Sequence, residues 1–343
     1  MAYQKVGGTP RFYIDAPSYL NSIGVEYGEG LDKDLFGLNP NNPVLIGNTE
    51  SMTVKITLPN EIGSLFDTTK GYVGFLNHSI SDDIYFSAHS DLYNLDQLFI
   101  NLEFDTSGVF YIYNKGFSMF TYNRDIGTAW DILKFYNMYH LDSNTYEPIP
   151  LYMGCITFGS YYDMPVSPDL DLSMEIEFDG VNNIKTTSGH TITQANYQGS
   201  PWWYDADGNK VEPWSVGQST GVSKRNGRRI WSLKFSYMSD KDLFASNYGS
   251  STYMETDTDY DSADLDTDTD NNNIFYYNID NDNSFSSQVL NKISHGEKFI
   301  FQPDNTANNP SDFAICVLDG DSFDMKRVAP NVYDMEMKIR EVW

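Results

Sequence analysis

The chain has 343 residues, with 48 acidic side chains against 22 Lys and Arg, for a net charge of −26. That balance argues against nucleic acid as the main partner, since phosphate binding needs clustered basic residues, and it repels anionic membranes. Aromatic residues make up 15% of the sequence, which favours strands and broad contact surfaces over helical bundles.

In chain order, Pro17 to Ile23 predicts one or two helical turns closed by Gly24. A loop rich in Gly, Asn and Pro follows from Gly28 to Pro43. Strand signals come next: Met52, Val54, Ile56 and Leu58 alternate, Gly71 to Leu76 is apolar, and Ile84 to Ala88 resumes the pattern. Val109–Tyr113 and Phe117–Tyr122 flank a hairpin loop at Asn114, Lys115 and Gly116. Trp130 to Met138 fits a strand or a short helix, and Leu151 to Phe158 closes the half. The pattern breaks near Gly159, ahead of Pro165 and Pro168. Two domains are therefore expected, at 1–158 and 159–343.

The second half holds the clearest alternation. Leu172, Met174, Ile176 and Phe178 form one series, Trp231, Leu233, Phe235 and Tyr237 another, and Tyr333, Met335, Met337 and Ile339 a third. A period of two puts the apolar set on one sheet face, as half-buried antiparallel strands require. Between the first two series, residues 188–229 read as a long loop. Ser239, with Asp242 three residues on, starts a short helix. Residues 255–273 are an Asp-rich insertion too polar to fold alone. Ser284 to Ser294 places Phe285, Val289, Leu290 and Ile293 on one helical face, with Gly296 just beyond. Lys298–Gln302, Phe313–Leu318 and Met325–Trp343 complete the strands. The expected fold is all-β, with β-sandwich or jelly-roll-like domains and a few short helices.

Cys155 and Cys316 each lie in an apolar run, as small buried hydrophobes do; a single disulfide is the alternative. The first twenty residues lack the apolar core of a leader and no eighteen-residue apolar run occurs, so a soluble product made inside the cell is expected.

Signals for chemistry are sparse. Gly217-Gln218-Ser219-Thr220-Gly221 matches a nucleophile-elbow pattern, but Pro213 precedes it and no helix follows, so it reads as a loop. The five histidines show no paired metal-ligand spacing. Asp205, Asp207 and Asn209 place oxygen atoms at alternate positions, which would suit calcium, the one cofactor the sequence offers; an ordinary hairpin turn between Trp203 and Val211 uses the same residues. Trp202, Trp203 and Trp214 cluster with Tyr204 in the loop. They suit stacking on a glycan, or else plugging a sandwich end or packing on a neighbouring subunit. Lys224, Arg225, Arg228, Arg229 and Lys234 form a basic island. It is either an electrostatic key for an acidic patch on another copy or partner, or an internal counterpart of nearby acids.

Several segments carry a family resemblance: Gly159-Ser160-Tyr161-Tyr162-Asp163-Met164-Pro165, Gly227-Arg228-Arg229-Ile230-Trp231-Ser232-Leu233, Phe299 to Asp304, Val328 to Tyr333, and the terminal Ile339 to Trp343. Together they resemble virion proteins of tailed bacteriophages, the minor tail and distal-tail components. Gly74-Phe75-Leu76-Asn77-His78 similarly resembles a strand of the galactose-binding-like jelly rolls in such proteins. The resemblance implies a non-enzymatic virion subunit at the tail or tail tip, assembled in the host cytoplasm as a symmetric multimer. Its partners would be copies of itself and other virion proteins, with no catalytic residues. A carbohydrate-binding host-recognition module contacting a surface glycan, and a capsid decoration protein, are the alternatives.

Overall fold

A computed structural model describes residues 8–24, 35–45, 54–57, 70–79, 87–90, 97–101, 109–114, 116–123, 132–136, 152–170, 173–177, 181–195, 200–204, 209–215, 227–244, 283–294, 296–320 and 323–343. The first half supplies β1 (Arg11–Asp15), α1 (Ala16–Ser22), β2 (Val44–Leu45), β3 (Val54–Thr57), β4 (Lys70–His78), β5 (Ser87–Ser90) and β6 (Gln97–Asn101). It continues with β7 (Val109–Asn114), β8 (Phe117–Asn123), β9 (Ile132–Tyr136) and β10 (Tyr152–Asp163). Then come β11 (Ser173–Glu177), β12 (Val181–Lys185), β13 (Thr191–Ala195), β14 (Trp203–Tyr204), β15 (Lys210–Val211), β16 (Arg228–Ser239) and α2 (Asp240–Leu243). A π-type turn (Ser286–Leu290) leads into α3 (Asn291–Ile293), followed by β17 (Phe299–Gln302), β18 (Ala314–Leu318), β19 (Asp324–Ala329) and β20 (Val332–Glu341). The all-β expectation holds.

The body is one antiparallel sheet in the order β11-β16-β20-β18-β17-β1-β10-β4-β8-β7, with β19 on β20 and β2 on β10. Strand β1 joins the halves of the chain: it pairs with β10 on one side and β17 on the other. The boundary expected near Gly159 falls inside β10, where Gly159 pairs with both Asp15 and Tyr72. Glycine is required at that position, because a Cβ there would sit 2.1 Å from the Ile14 carbonyl oxygen.

The central strands are buried on both faces. Phe12 and Ile14 of β1, Phe299 and Phe301 of β17, and Cys316 of β18 enter one core, while Tyr13, Ile300 and Ile315 from the same strands enter the other. Short helices cover the first face, through Tyr19 and Leu20 of α1, Leu243 of α2, and Phe285, Val289 and Ile293. The other face is covered by Trp203, Val211 and Trp214. Both cysteines are free and buried.

Local signals explain the helices. The Asp15 carboxylate caps α1 by accepting from the Ser18 amide at 2.9 Å, satisfying a donor that a helix start leaves open. Ser239 caps α2 in the same way through Asp242. The segment at 285–293 begins with π-type bonding. Residues 284–289 are all buried, with Phe285, Val289 and Ile293 entering the first core and Lys292 Nζ donating to Gln288 Oε1 at 3.1 Å.

Candidate interaction surface

Several residues that the sequence offered as functional are internal. Trp203 and Trp214 are 1% and 3% exposed, with ring centroids 5.0 Å apart. Trp214 meets Phe117 edge-on at 4.8 Å and stacks on Phe313 at 6.4 Å. Such packing outweighs a left-handed backbone (φ 60°) at Trp214, a conformation that costs about 1–3 kcal/mol. These two rings therefore plug the second core face, which corrects the glycan-stacking expectation for them; Trp202 is half-buried beside them. Trp203 pairs with Val211 and Tyr204 with Lys210, forming the hairpin that was the alternative to a calcium loop. Asp205 and Asp207 lie outside the described residues, and Asn209 is exposed. Among the described residues no group of three or more His, Cys, Asp and Glu is placed to hold a metal.

The basic island is likewise divided. Arg229 clamps the C-terminal strand: its Nε and Nη2 donate to the Glu341 carboxylate at 3.1 and 2.9 Å, and its guanidinium also donates to the Ser311 and Phe313 carbonyls. Its backbone amide donates to the same carboxylate at 2.9 Å. Glu341 is 1% exposed, so the pair is a desolvated internal lock, and the Arg229 guanidinium is engaged within its own chain. Arg228 lies 5.3 Å over the Trp343 ring, and Lys234 pairs with Glu336 at 3.2 Å. Lys224, Arg225, the Gly217–Gly221 motif and the Asp-rich insertion 255–273 lie outside the described residues.

Two buried polar centres escaped sequence reasoning. His78 Nε2 lies 2.9 Å from the Ser118 hydroxyl, and burial lowers the His78 pKa to about 3. Both side chains are sealed in the core, so the neutral imidazole serves there as a hydrogen-bonding partner and not as a base for substrate. Asp15 accepts from the Thr157 and Ser18 hydroxyls at 2.7 and 2.5 Å, and Thr157 also meets the Tyr72 hydroxyl at 2.8 Å. Desolvation raises the Asp15 pKa to about 6 against the pull of those hydrogen bonds.

The surface is more informative. Ten large hydrophobic side chains are exposed among the described residues, and five of them fall between 170 and 192: Leu170, Met174, Ile176, Ile184 and Ile192. Met174 and Ile176 belong to β11, at the end of the sheet. Its alternation is as expected, but Met174 is 57% exposed and Ile176 42%, so the apolar side anticipated as core faces outward. The neighbouring strand is buried opposite β11: Met174 pairs with Trp231, which is 3% exposed. Tyr237, beyond the stretch of β16 that β11 covers, is a further exposed aromatic. A register shift between Phe235 and Met238, with Tyr237 at φ 61°, turns its ring outward at 72% exposure. Asp169 fastens the segment before β11 to β16, through its amide on the Lys234 carbonyl and its carboxylate on the Ser236 hydroxyl at 2.6 Å.

Beyond β11 the chain forms β12 and β13, a separate two-stranded ribbon whose second strand falls within the 188–229 stretch expected to be loop. Residues 182–194 are exposed apart from Thr186, which is half-buried, and Ile184 pairs with Ile192. The turn is well satisfied: Thr186 donates its amide to the His190 carbonyl at 2.8 Å and accepts from the Gly189 amide at 2.9 Å. Gly189 supplies the left-handed conformation this needs (φ 85°).

No family model, curated protein or solved structure matches this chain. No described helix is long and apolar enough to cross a membrane.

Proposed function

We propose that this protein is a non-enzymatic structural subunit of a tailed-phage virion, a tail or tail-tip component that works by assembling into a symmetric multimer. The observation that carries the assembly reading is the outward apolar side of β11. An edge strand presents unpaired backbone groups and usually defends itself with charge or a bulge. Here the edge also carries Met174 and Ile176, and burying their remaining exposed surface at a subunit contact is worth about 1 kcal/mol each. Clustered exposed apolar side chains mark association surfaces. The tail assignment draws its support from the sequence resemblance, whose motifs make up the sheet's framework: β10, β16, β17 and β20.

Electron microscopy of the purified chain at micromolar concentration tests the proposal. Closed particles of uniform symmetry are expected. A field of single 39.1 kDa chains at every concentration would contradict it.

A further inference from the structure

Among the described residues the β12–β13 ribbon is a two-stranded sheet of its own, apart from the main sheet. Its side chains are exposed from Asn182 to Lys185 and from Thr191 to Gln194, and a lone two-stranded hairpin is at best marginally stable in water. Yet its turn is fully bonded, and Thr193 donates to the Asn183 side chain across the strands at 2.8 Å. It is a preformed element presenting an Ile184–Ile192 pair.

Its charge is also distinctive. From Gly180 to Tyr204 the chain has no Asp or Glu and one cation, Lys185, although 48 acids are spread through the whole sequence. That segment of 25 residues therefore has a net charge of +1, leaving −27 on the other 318 residues. Two copies of so acidic a protein repel one another unless the contact places an acid-free element against an acidic one. Ribbon against ribbon would leave the acidic surfaces unmatched.

Resting on the assembly reading above, we propose that the β12–β13 ribbon is a docking arm whose seat is an acidic surface of a second copy. Each copy then uses one surface to give and another to receive. Such a heterologous contact closes into a ring when its rotation permits. The Ile184–Ile192 pair provides the apolar contact, and Lys185 selects an acidic seat.

The test replaces residues 181–195 with a short Gly-Ser linker and measures solution mass by light scattering, alone and mixed with the wild-type chain. The wild type is expected to be multimeric. The ribbonless chain should be monomeric with an unchanged melting temperature, and in excess it should cap wild-type multimers into smaller species because it keeps the acidic seat. A ribbonless chain as multimeric as the wild type overturns the arm and leaves the assembly reading standing. A ribbonless monomer that never caps the wild type overturns the acidic seat. A wild type that is monomeric throughout overturns the assembly reading itself. Ile184→Glu, at an exposed position, keeps the proposal testable if the deletion fails to fold: at least tenfold weaker association is expected, and undiminished association overturns the arm.

Discussion

The stability of this protein should depend on pH through two buried groups of opposite sign, His78 and Asp15. Burial brings His78 from 6.5 down to about 3 in the folded chain. Between those values the unfolded chain binds a proton that the folded one refuses, so stability falls as pH drops below 6.5. At about 1.4 kcal/mol per factor of ten, the full loss is on the order of 5 kcal/mol, of which about 2 kcal/mol has gone by pH 5. Asp15 acts oppositely. Its pKa rises from 3.8 to about 6, so its contribution is fully present below 3.8 and is lost as pH rises through 6. The two contributions nearly cancel between pH 3.8 and 6, which hides the histidine. Urea unfolding followed by tryptophan fluorescence, from pH 7.5 to 4.5, should show His78→Gln gaining on the wild type as pH falls, by about 2 kcal/mol at pH 5. Asp15→Asn, which keeps a capping side chain, should steepen the acid-side loss that the wild type masks. A constant wild-type-minus-His78→Gln difference across this range would refute the buried neutral imidazole.

Glu341→Gln should destabilise by about 3–5 kcal/mol, because it strands the Arg229 guanidinium in a desolvated site; replacing both partners with Met and Leu should recover most of that loss, and urea midpoints report both. Gly159→Ala should disrupt the β1–β10 ladder, since the added carbon meets the Ile14 carbonyl at 2.1 Å; soluble, cooperatively melting protein from this variant would contradict the packing. Met174→Lys with Ile176→Lys should leave the melting temperature unchanged, the surface cost being within roughly 0.5 kcal/mol, while weakening self-association in sedimentation.

Sequence periodicity reveals only strands whose two faces differ. Strands β16 and β20 alternate because one side is core and the other solvent, with Met335, Met337 and Ile339 buried and Glu336 and Lys338 exposed. The central β1, β17 and β18 are buried on both faces and so appear as short continuous apolar runs. Nothing in such a run shows that strands from both ends of the chain share one sheet, with Gly159 inside β10. On β11 the alternation was legible but its meaning was not: at a sheet's end the same pattern can face solvent. The ribbon escaped notice because Asn, Thr and a single Ile per strand resemble loop composition. The Trp203–Trp214 pair and Arg229 looked functional because aromatic and basic residues serve cores and buried ion pairs as readily as interfaces. His78 and Ser118 are 40 positions apart and meet only through β4–β8 pairing.

Sedimentation velocity across a concentration and salt series tests assembly through the β11–β13 surface most directly. A concentration-dependent multimer that the Met174→Lys, Ile176→Lys chain forms much more weakly at every salt concentration is the predicted result. A single 39.1 kDa species under every condition would contradict it.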